Sequence, residues 1–388
     1  MSTAAPSTTP AFELDADHAD FREVCHAFVR RELVPLAAQA ERDGFPPELW
    51  PKLAAAGLLG VGHPEAHGGT GGGVLALAIL SEALAHASGG LAITPLVSAY
   101  MAAPHLARFG TDDQRERFLA PVLRGESVAA IAVTEPGAGS DVAGMAASAR
   151  RDGEDWVISG TKMFITNAGY ADTIIVGART DPESRHGGIT TFIVDAGTPG
   201  LTLGVPLEKM GWHASDTREV VLDGVTVGPD RVLGTVGRGF QQIMEAFEVE
   251  RITLAGMGVG LAQACLDDAL EHAREREAFG RPIGRNQAIS HRLGEMATDI
   301  AAARLITHQA AARCDSGHPE ASASVAMAKL LAARVANTVA DHAVQVFGGY
   351  GFIEETRVAM HYRDARILRI GGGTDEVQLE ILAKRMGL

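Results

Sequence analysis

Between residues 130 and 227 the chain changes texture, and that change limits the folds open to it. Short β-branched runs alternate there with turn residues: Trp156-Val157-Ile158, Met163-Phe164-Ile165-Thr166, Thr173-Ile174-Ile175-Val176, Thr190-Thr191-Phe192-Ile193-Val194 and Val220-Val221-Leu222. Runs of this kind read as strands. Asp223-Gly224 separates the last of them from Val225-Thr226-Val227, which predicts a tight hairpin turn. No helical stretch intervenes, so an antiparallel domain is expected rather than parallel βαβ units.

On both sides the periodicity is helical. Phe21, Val24, Cys25 and Phe28 recur at helical spacing. Pro46-Pro47 fits a helix start and Gly57 a stop. Gly110 ends a helix, and Thr111-Asp112-Asp113-Gln114 has the form of a capping box opening the next. Long Ala/Leu-rich stretches run from Phe240 to Ala273, Asn286 to Cys314 and Glu320 to Val346, the pattern of an antiparallel bundle. The expected fold is thus α+β and multidomain. A disordered Ser/Thr/Ala/Pro-rich leader covers 1–13 and an α-helical domain 14–128. A central antiparallel β-barrel or sandwich covers 129–236, and a C-terminal four-helix bundle 237–388.

Composition narrows the function classes. A net charge of −14, with no dense Lys/Arg run, argues against a general nucleic-acid surface. No apolar run reaches the roughly 20 residues needed to span a bilayer. The start lacks the pattern of a signal peptide. Cys25, Cys265 and Cys314 form no Cys-x-x-Cys pair and sit in Ala-rich helical contexts, so buried structural thiols in a reducing cytoplasm are expected. Fourteen histidines show neither His-Glu-x-x-His nor Cys/His metal spacing. Surface or hydrogen-bonded histidines, and no metal, are expected.

Three segments carry candidate chemistry. Phe240, Ile243, Met244, Phe247 and Arg251 share one face of a helix, and Glu250 joins that apolar stripe. A carboxylate there is costly to ionise, and desolvation raises its pKa toward the range of a general base. A structural ion pair with a neighbouring helix explains the same position. Ile131–Asp141 runs from a strand into a Pro/Gly-rich turn, which is an ordinary β-turn or a cradle for a polar ligand. Arg274, Arg276 and Arg281 flank Phe279 before a turn, as a solvated helix end or a pyrophosphate clamp would. Gly256-Met257-Gly258-Val259-Gly260 lacks the spacing and the preceding strand of a dinucleotide fingerprint, so close helix packing explains it.

The second of these segments, read as Ala132-Val133-Thr134-Glu135-Pro136-Gly137-Ala138-Gly139-Ser140-Asp141, and one further stretch, Ile370-Gly371-Gly372-Gly373-Thr374-Asp375-Glu376, resemble flavin-binding segments of acyl-CoA dehydrogenases. Taken with the α–β–α order, the resemblance runs from about residue 14 to the end. It implies FAD between the β domain and the C-terminal bundle. Ile131, Val133 and Thr134 then lie under the isoalloxazine, with Thr134 bonded to the ring. Phe164-Ile165-Thr166 matches the family's Trp-Ile-Thr, with Thr166 near flavin N5. Arg276, Phe279 and Gln287 resemble contacts to a partner subunit's FAD, and Ala278 stands where some members have threonine. Gln345, Val346, Gly348 and Gly349 resemble the adenosine-diphosphate segment. Thr374, Asp375 and Glu376 resemble a pyrophosphate contact at a helix start. Ser140, with Phe247, Arg251 and Gly373, falls on the substrate side, Ser140 touching the pantetheine arm.

One departure stands out. Gly372 occupies the place where many members carry their catalytic glutamate. In isovaleryl-type members the base sits on the helix bearing Phe247–Arg251, and Glu250 falls on that position. The resemblance therefore implies α,β-dehydrogenation of a short, medium or branched acyl thioester. Glu250 takes the α-proton, the β-hydride goes to flavin N5, and the Gly372 N–H steadies the thioester oxygen. Asp375 is the runner-up base, better read as a helix cap. CoA or an acyl-carrier protein as carrier, electron-transfer flavoprotein as acceptor and a homotetramer built as a dimer of dimers complete the expectation. A flavin oxidase or monooxygenase, or a non-catalytic flavoprotein, is the alternative.

Overall fold

A computed structural model describes residues 13–388, so the leader expected over 1–13 lies, except for its last residue, outside the described residues. The first helix, α1 (Ala16–Phe28), is capped by Asp15, whose carboxylate accepts the His18 N–H at 2.9 Å. Cys25 and Phe28 face the core, while Val24, at the edge of the same stripe, stays 57% exposed. Next, α2 (Leu49–Ala55) follows the proline pair and stops before Gly57, whose φ is +70°. The helices α3 (Gly73–Ala87) and α4 (Gly89–Leu96) are buried along almost their whole length. Gly110 closes α5 (Ala103–Phe109). The Thr111 capping box is reciprocal: Gln114 N–H donates to the Thr111 hydroxyl, and Thr111 N–H to the Gln114 amide oxygen.

The middle of the chain forms one sheet of β1 (Ala129–Ala132), β2 (Ser148–Asp152), β3 (Asp155–Thr166), β4 (Thr173–Arg179), β5 (Ile189–Asp195), β6 (Leu201–Leu203), β7 (Thr217–Val227) and β8 (Val232–Leu233). The order is β6-β7-β3-β2-β4-β5-β8, with β1 joined to β4. Most pairings are antiparallel, but β1 runs parallel to β4, so the sheet is mixed. The hairpin expected at Asp223-Gly224 does not form. Both sides of the dipeptide belong to β7, and both pair with β3: Leu222 with Gly160 and Val225 with Ile158. Gly224, at φ +66°, is a bulge that puts one extra residue into the strand.

The long stretches become α6 (Gly239–Glu275), α7 (Gln287–Asp315) and α8 (Ala321–Phe347), followed by α9 (Arg357–Arg366) and α10 (Asp375–Arg385). Glycines 256, 258 and 260 are packing glycines. A Cβ on Gly256 would strike the Ala78 carbonyl of α3, one on Gly258 the Ala332 carbonyl of α8, and one on Gly260 the Glu82 backbone. The backbone of α6 thereby touches its neighbours on two sides. As a result the first and last helical regions share one hydrophobic core, including Leu80, Leu84, Leu91, Met257, Leu261 and Val339. The sheet has its own core around Ile158, Phe192 and Val220. Among the described residues no helix is long and apolar enough to cross a membrane.

Two histidines depart from expectation. His105 and His361 are fully buried, and among the described residues neither ring nitrogen of either meets a hydrogen-bond partner. Burial holds both neutral, pushing His105 down to about 4. The three cysteines are unpaired, Cys25 and Cys265 buried and Cys314 half-buried.

Candidate active site

The site begins where β1 leaves the sheet. Its turn is pinned from β3: the Met163 N–H donates to the Thr134 carbonyl at 2.9 Å, and the Lys162 ammonium donates to the Val133 carbonyl at 3.2 Å and to Glu135 Oε1 at 2.7 Å. Glu135 also accepts the N–H groups of Ala146 and Ala147. Lys162 is 0% and Glu135 6% exposed, so this is a buried, saturated ion pair. Beyond it, a Cβ on Gly137 or Gly139 would meet nothing within 4 Å, and Ser140 is exposed. A register shift in β3 between Lys162 and Ile165 places Phe164 at φ +62° and leaves its ring 64% exposed. Ile165 is buried and Thr166 partly so.

The end of β1 meets the apolar stripe of α6. Val133, Met145, Ile189 and Ile243 form a small core, packed by Ile131, Phe240, Met244 and Phe247. The strand-turn and the stripe, distant in sequence, are thus one surface in space. Glu250 stands on the next turn of the helix, with part of its surface open. Burial raises its carboxyl to about 7, while Arg251 and Lys329 pull it back; no hydrogen bond contributes.

Gly372 approaches this carboxylate from the other side. Its φ is +65°, and a Cβ built on it would lie 3.4 Å from Glu250 Oε1 and against Leu254. The side chain absent at 372 and the carboxylate present at 250 therefore address the same space. The turn is held by its carbonyls. Arg251 Nε donates to the Gly372 oxygen at 3.1 Å, Gln378 Nε2 to those of Gly372 and Gly373 at 3.2 and 3.0 Å, and Lys329 Nζ to that of Gly373 at 2.5 Å. The Gly372 N–H has no protein acceptor among the described residues. Thr374 caps α10 by accepting the Val377 N–H. Asp375 is buried, with Oδ2 clamped by Arg334 at 3.2 Å and Arg369 at 2.7 Å and Oδ1 without a partner among the described residues. Glu376 is exposed.

Two cavities lie along α6, one at its far C-terminal end, more than twenty residues from Glu250, and one beside Ala246 and Val249. One, of roughly 590 Å³, is lined by Arg276, Val346, Phe347, Gly348, Gly349 and Tyr350. Neither Gly348 nor Gly349 has an atom within 4 Å of a notional Cβ. Open backbone beside a guanidinium suits a phosphate-bearing group. Phe279, 99% exposed at φ +56°, tops a small hairpin nearby; Gln345 and Gln287 are exposed but do not line the cavity. The other cavity, of roughly 240 Å³, lies between α6 and the N-terminal helices. Val74, Leu77, Tyr100, Pro104, Ala246 and Val249 line it, and Arg108 meets Glu245 at 3.0 Å beside them.

Models of the acyl-CoA dehydrogenase N-terminal, middle and C-terminal domains match residues 15–126, 130–225 and 237–387. The chain belongs to the acyl-CoA dehydrogenase family. It is therefore an oxidoreductase of the CH–CH bond of acyl thioesters, in a family of FAD flavoproteins. The 3-(aryl)acrylate reductase of Clostridium sporogenes is 38% identical over 376 residues, 95% of this chain and 98% of that one. The structure of butyryl-CoA dehydrogenase from Megasphaera elsdenii superposes with a TM-score of 0.94 at 38% identity, covering 98% of this chain and 100% of the other. An FAD complex of PigA does so with a TM-score of 0.94 at 31% identity, covering 98% and 100%.

For an acyl-CoA dehydrogenase the residues present fit FAD. The open Gly137–Gly139 turn and the uncovered Phe164 ring leave a surface that a flavin would cover, and the separate Arg276–Gly349 cavity, at the far end of α6, suits the diphosphate of a partner subunit's FAD. Lys162, Glu135, Lys329 and Gln378 were not singled out by the sequence reading, although each holds a part of the site. Lys329 carried a usable signal: it sits among buried Val325, Ala328, Ala332 and Ala336 on α8, an ionisable group on an apolar face as Glu250 is.

Proposed function

We propose that this acyl-CoA dehydrogenase oxidises a short or branched acyl thioester with Glu250 as the base. The observation carrying the proposal is the meeting of Glu250 Oε1 with the space in front of Gly372. A carboxyl raised to about 7 is half-ionised at neutral pH, well matched to removing a weakly acidic α-proton. Asp375, clamped by two arginines, is a poor competitor. The Gly372 N–H, which has no protein acceptor among the described residues, is the proposed donor to the thioester oxygen as charge builds there, a contact typically worth about 3 kcal/mol. Bound FAD supplies the acceptor for the β-hydride. Thr134 and Thr166 are proposed to hold its ring, Arg276, Gly348 and Gly349 to hold the diphosphate part of a partner subunit's FAD, and Ser140 and Phe247 to lie on the substrate side.

The small apolar cavity beside Ala246 and Val249 supports a short or branched acyl tail, since roughly 240 Å³ is below the range of about 300–1,000 Å³ that houses larger ligands. The likeness to a butyryl-CoA dehydrogenase points the same way. CoA as carrier, electron-transfer flavoprotein as acceptor and a homotetramer belong to this proposal. The bare Phe279 and Phe352 rings, 99% and 86% exposed, support assembly.

Anaerobic mixing of Glu250→Gln holoenzyme with butyryl- and isovaleryl-CoA tests the base. Flavin bleaching should slow by about 10²–10⁴-fold; bleaching at the wild-type rate removes Glu250 from the chemistry. A second reading draws on the 3-(aryl)acrylate reductase relative: the site runs in reverse, with Glu250 returning a proton to the α-carbon of an enoyl thioester. Mixing reduced enzyme with enoyl thioester distinguishes it.

A further inference from the structure

We infer that Lys329 is a positioning residue for the chemical step: a buried cation that holds the Gly372–Gly373 turn against Glu250 and steadies the carboxylate. This rests on Glu250 being the base.

Lys329 lies on α8 and is 1% exposed. Lysine is almost never buried so completely without an anionic partner. Its ammonium has three donors, yet its one hydrogen bond among the described residues goes to the Gly373 carbonyl at 2.5 Å. The acid that acts on it most, Asp375, is bound through Oδ2 by Arg334 and Arg369, and Lys329 makes no ion pair with it among the described residues. The Lys329 charge is therefore held by no ion pair of its own and acts through space on the groups around it. The anions acting on it are Asp375, Glu250 and Glu376, and Arg251 opposes them. From the side of Glu250, the charges that matter are Arg251 on its own helix and Lys329 from α8.

Arg251 is tied to the Gly372 carbonyl and Lys329 to that of Gly373, so both cations hold the turn that lies against the Glu250 carboxylate. Two consecutive glycines with φ of +65° and +94° have no side chains to fix them. Their carbonyl partners do that work, and so determine where the free Gly372 N–H points. Burial also lowers Lys329 to about 8, which leaves it mostly charged where Glu250 is half-ionised. Removing that charge leaves the burial of Glu250 less opposed, and its proton is held more tightly.

The test uses holoenzyme variants and a direct view of the carboxyl. Lys329→Gln keeps a donor for the Gly373 carbonyl and removes the charge; Lys329→Met removes both; Lys329→Arg keeps the charge. Infrared titration follows the Glu250 carboxyl band, assigned by its loss in Glu250→Gln. The acid limb of single-turnover flavin reduction gives a second reading. The midpoint should rise by about one pH unit in Lys329→Gln and Lys329→Met and stay near wild type in Lys329→Arg. A midpoint unmoved in whichever neutral variant folds, even with lowered thermal stability, reduces Lys329 to a structural lysine and overturns the inference. If Glu250→Gln still bleaches flavin at the wild-type rate, it is the assignment of the base that fails instead.

Discussion

Two glutamates sit a few residues from the proposed flavin face, and they are treated oppositely. Glu135 lies in the β domain with every approach filled: the Lys162 ammonium and two backbone N–H groups donate to its oxygens. Glu250 lies on α6 with no hydrogen bond, two cations nearby and an open side. The first carboxylate is committed to shape, since it locks the turn that presents Thr134. The second is left uncommitted, which a group that must gain and lose a proton requires. Burial alone does not separate a structural acid from a reactive one; the state of its oxygens does.

The largest test of that contrast is to strand the structural acid. Lys162→Met leaves Glu135 buried without its cation, and breaking a pair so enclosed should cost about 3–5 kcal/mol of stability. Lys162→Met/Glu135→Leu should recover much of it, because neither charge then remains to be desolvated. Urea denaturation of both variants decides the matter. A loss well under 1 kcal/mol in the single variant would mean that the two N–H groups suffice and the pairing is incidental.

The second test moves the reactive acid. Glu250→Gly should slow flavin reduction by about 10²–10⁴-fold. Adding Gly372→Glu sends a carboxylate into the same space from the opposite wall. A side chain at φ +65° costs about 1–2 kcal/mol and meets Leu254, so Leu254→Ala accompanies it. Recovery on the order of tenfold is expected in the triple variant, which trades ideal placement for a base within reach. No recovery in a folded, flavin-loaded triple variant would show that positions 250 and 372 serve different carbons.

The helices were legible because their signal is local. The Phe240–Ala273 stretch became Gly239–Glu275, and Glu320–Val346 became Ala321–Phe347. Asp223-Gly224 misled for a physical reason: a hairpin and a bulge ask for the same positive φ, and only the distant partner strand β3 decides between them. Glu250 was legible as an acid on an apolar stripe. Its convergence with Gly372 came only from the family resemblance and not from any local pattern, because it depends on how α6 meets a turn more than a hundred residues later. Lys162 was hidden by its strand, where one lysine between β-branched runs reads as a solvent-facing position until a buried partner is seen. The partnerless rings of His105 and His361 were beyond any local pattern, since sequence records which groups are polar and not whether they are answered.

The smallest effect is also the most direct comparison of the two acids. Burial raises Glu250 from 4.5 to about 7. Between those values the folded protein holds a proton that the unfolded chain has released, so stability falls as pH rises across that window. Below pH 4.5 the penalty is absent, and above pH 7 it is complete. Asp364, buried and raised from 3.8 to about 7, adds a contribution of the same sign, so some slope survives any change at 250. Glu250→Gln should match wild type at pH 4 and exceed it at pH 8 by about 1 kcal/mol, because a neutral amide escapes the cost of an unpaired buried charge. Urea denaturation at the two pH values measures the difference. A variant less stable than wild type at pH 8 would mean that the ionised carboxylate has a partner in the folded protein, which would place Glu250 in the same class as Glu135 and leave the proton transfer without its base.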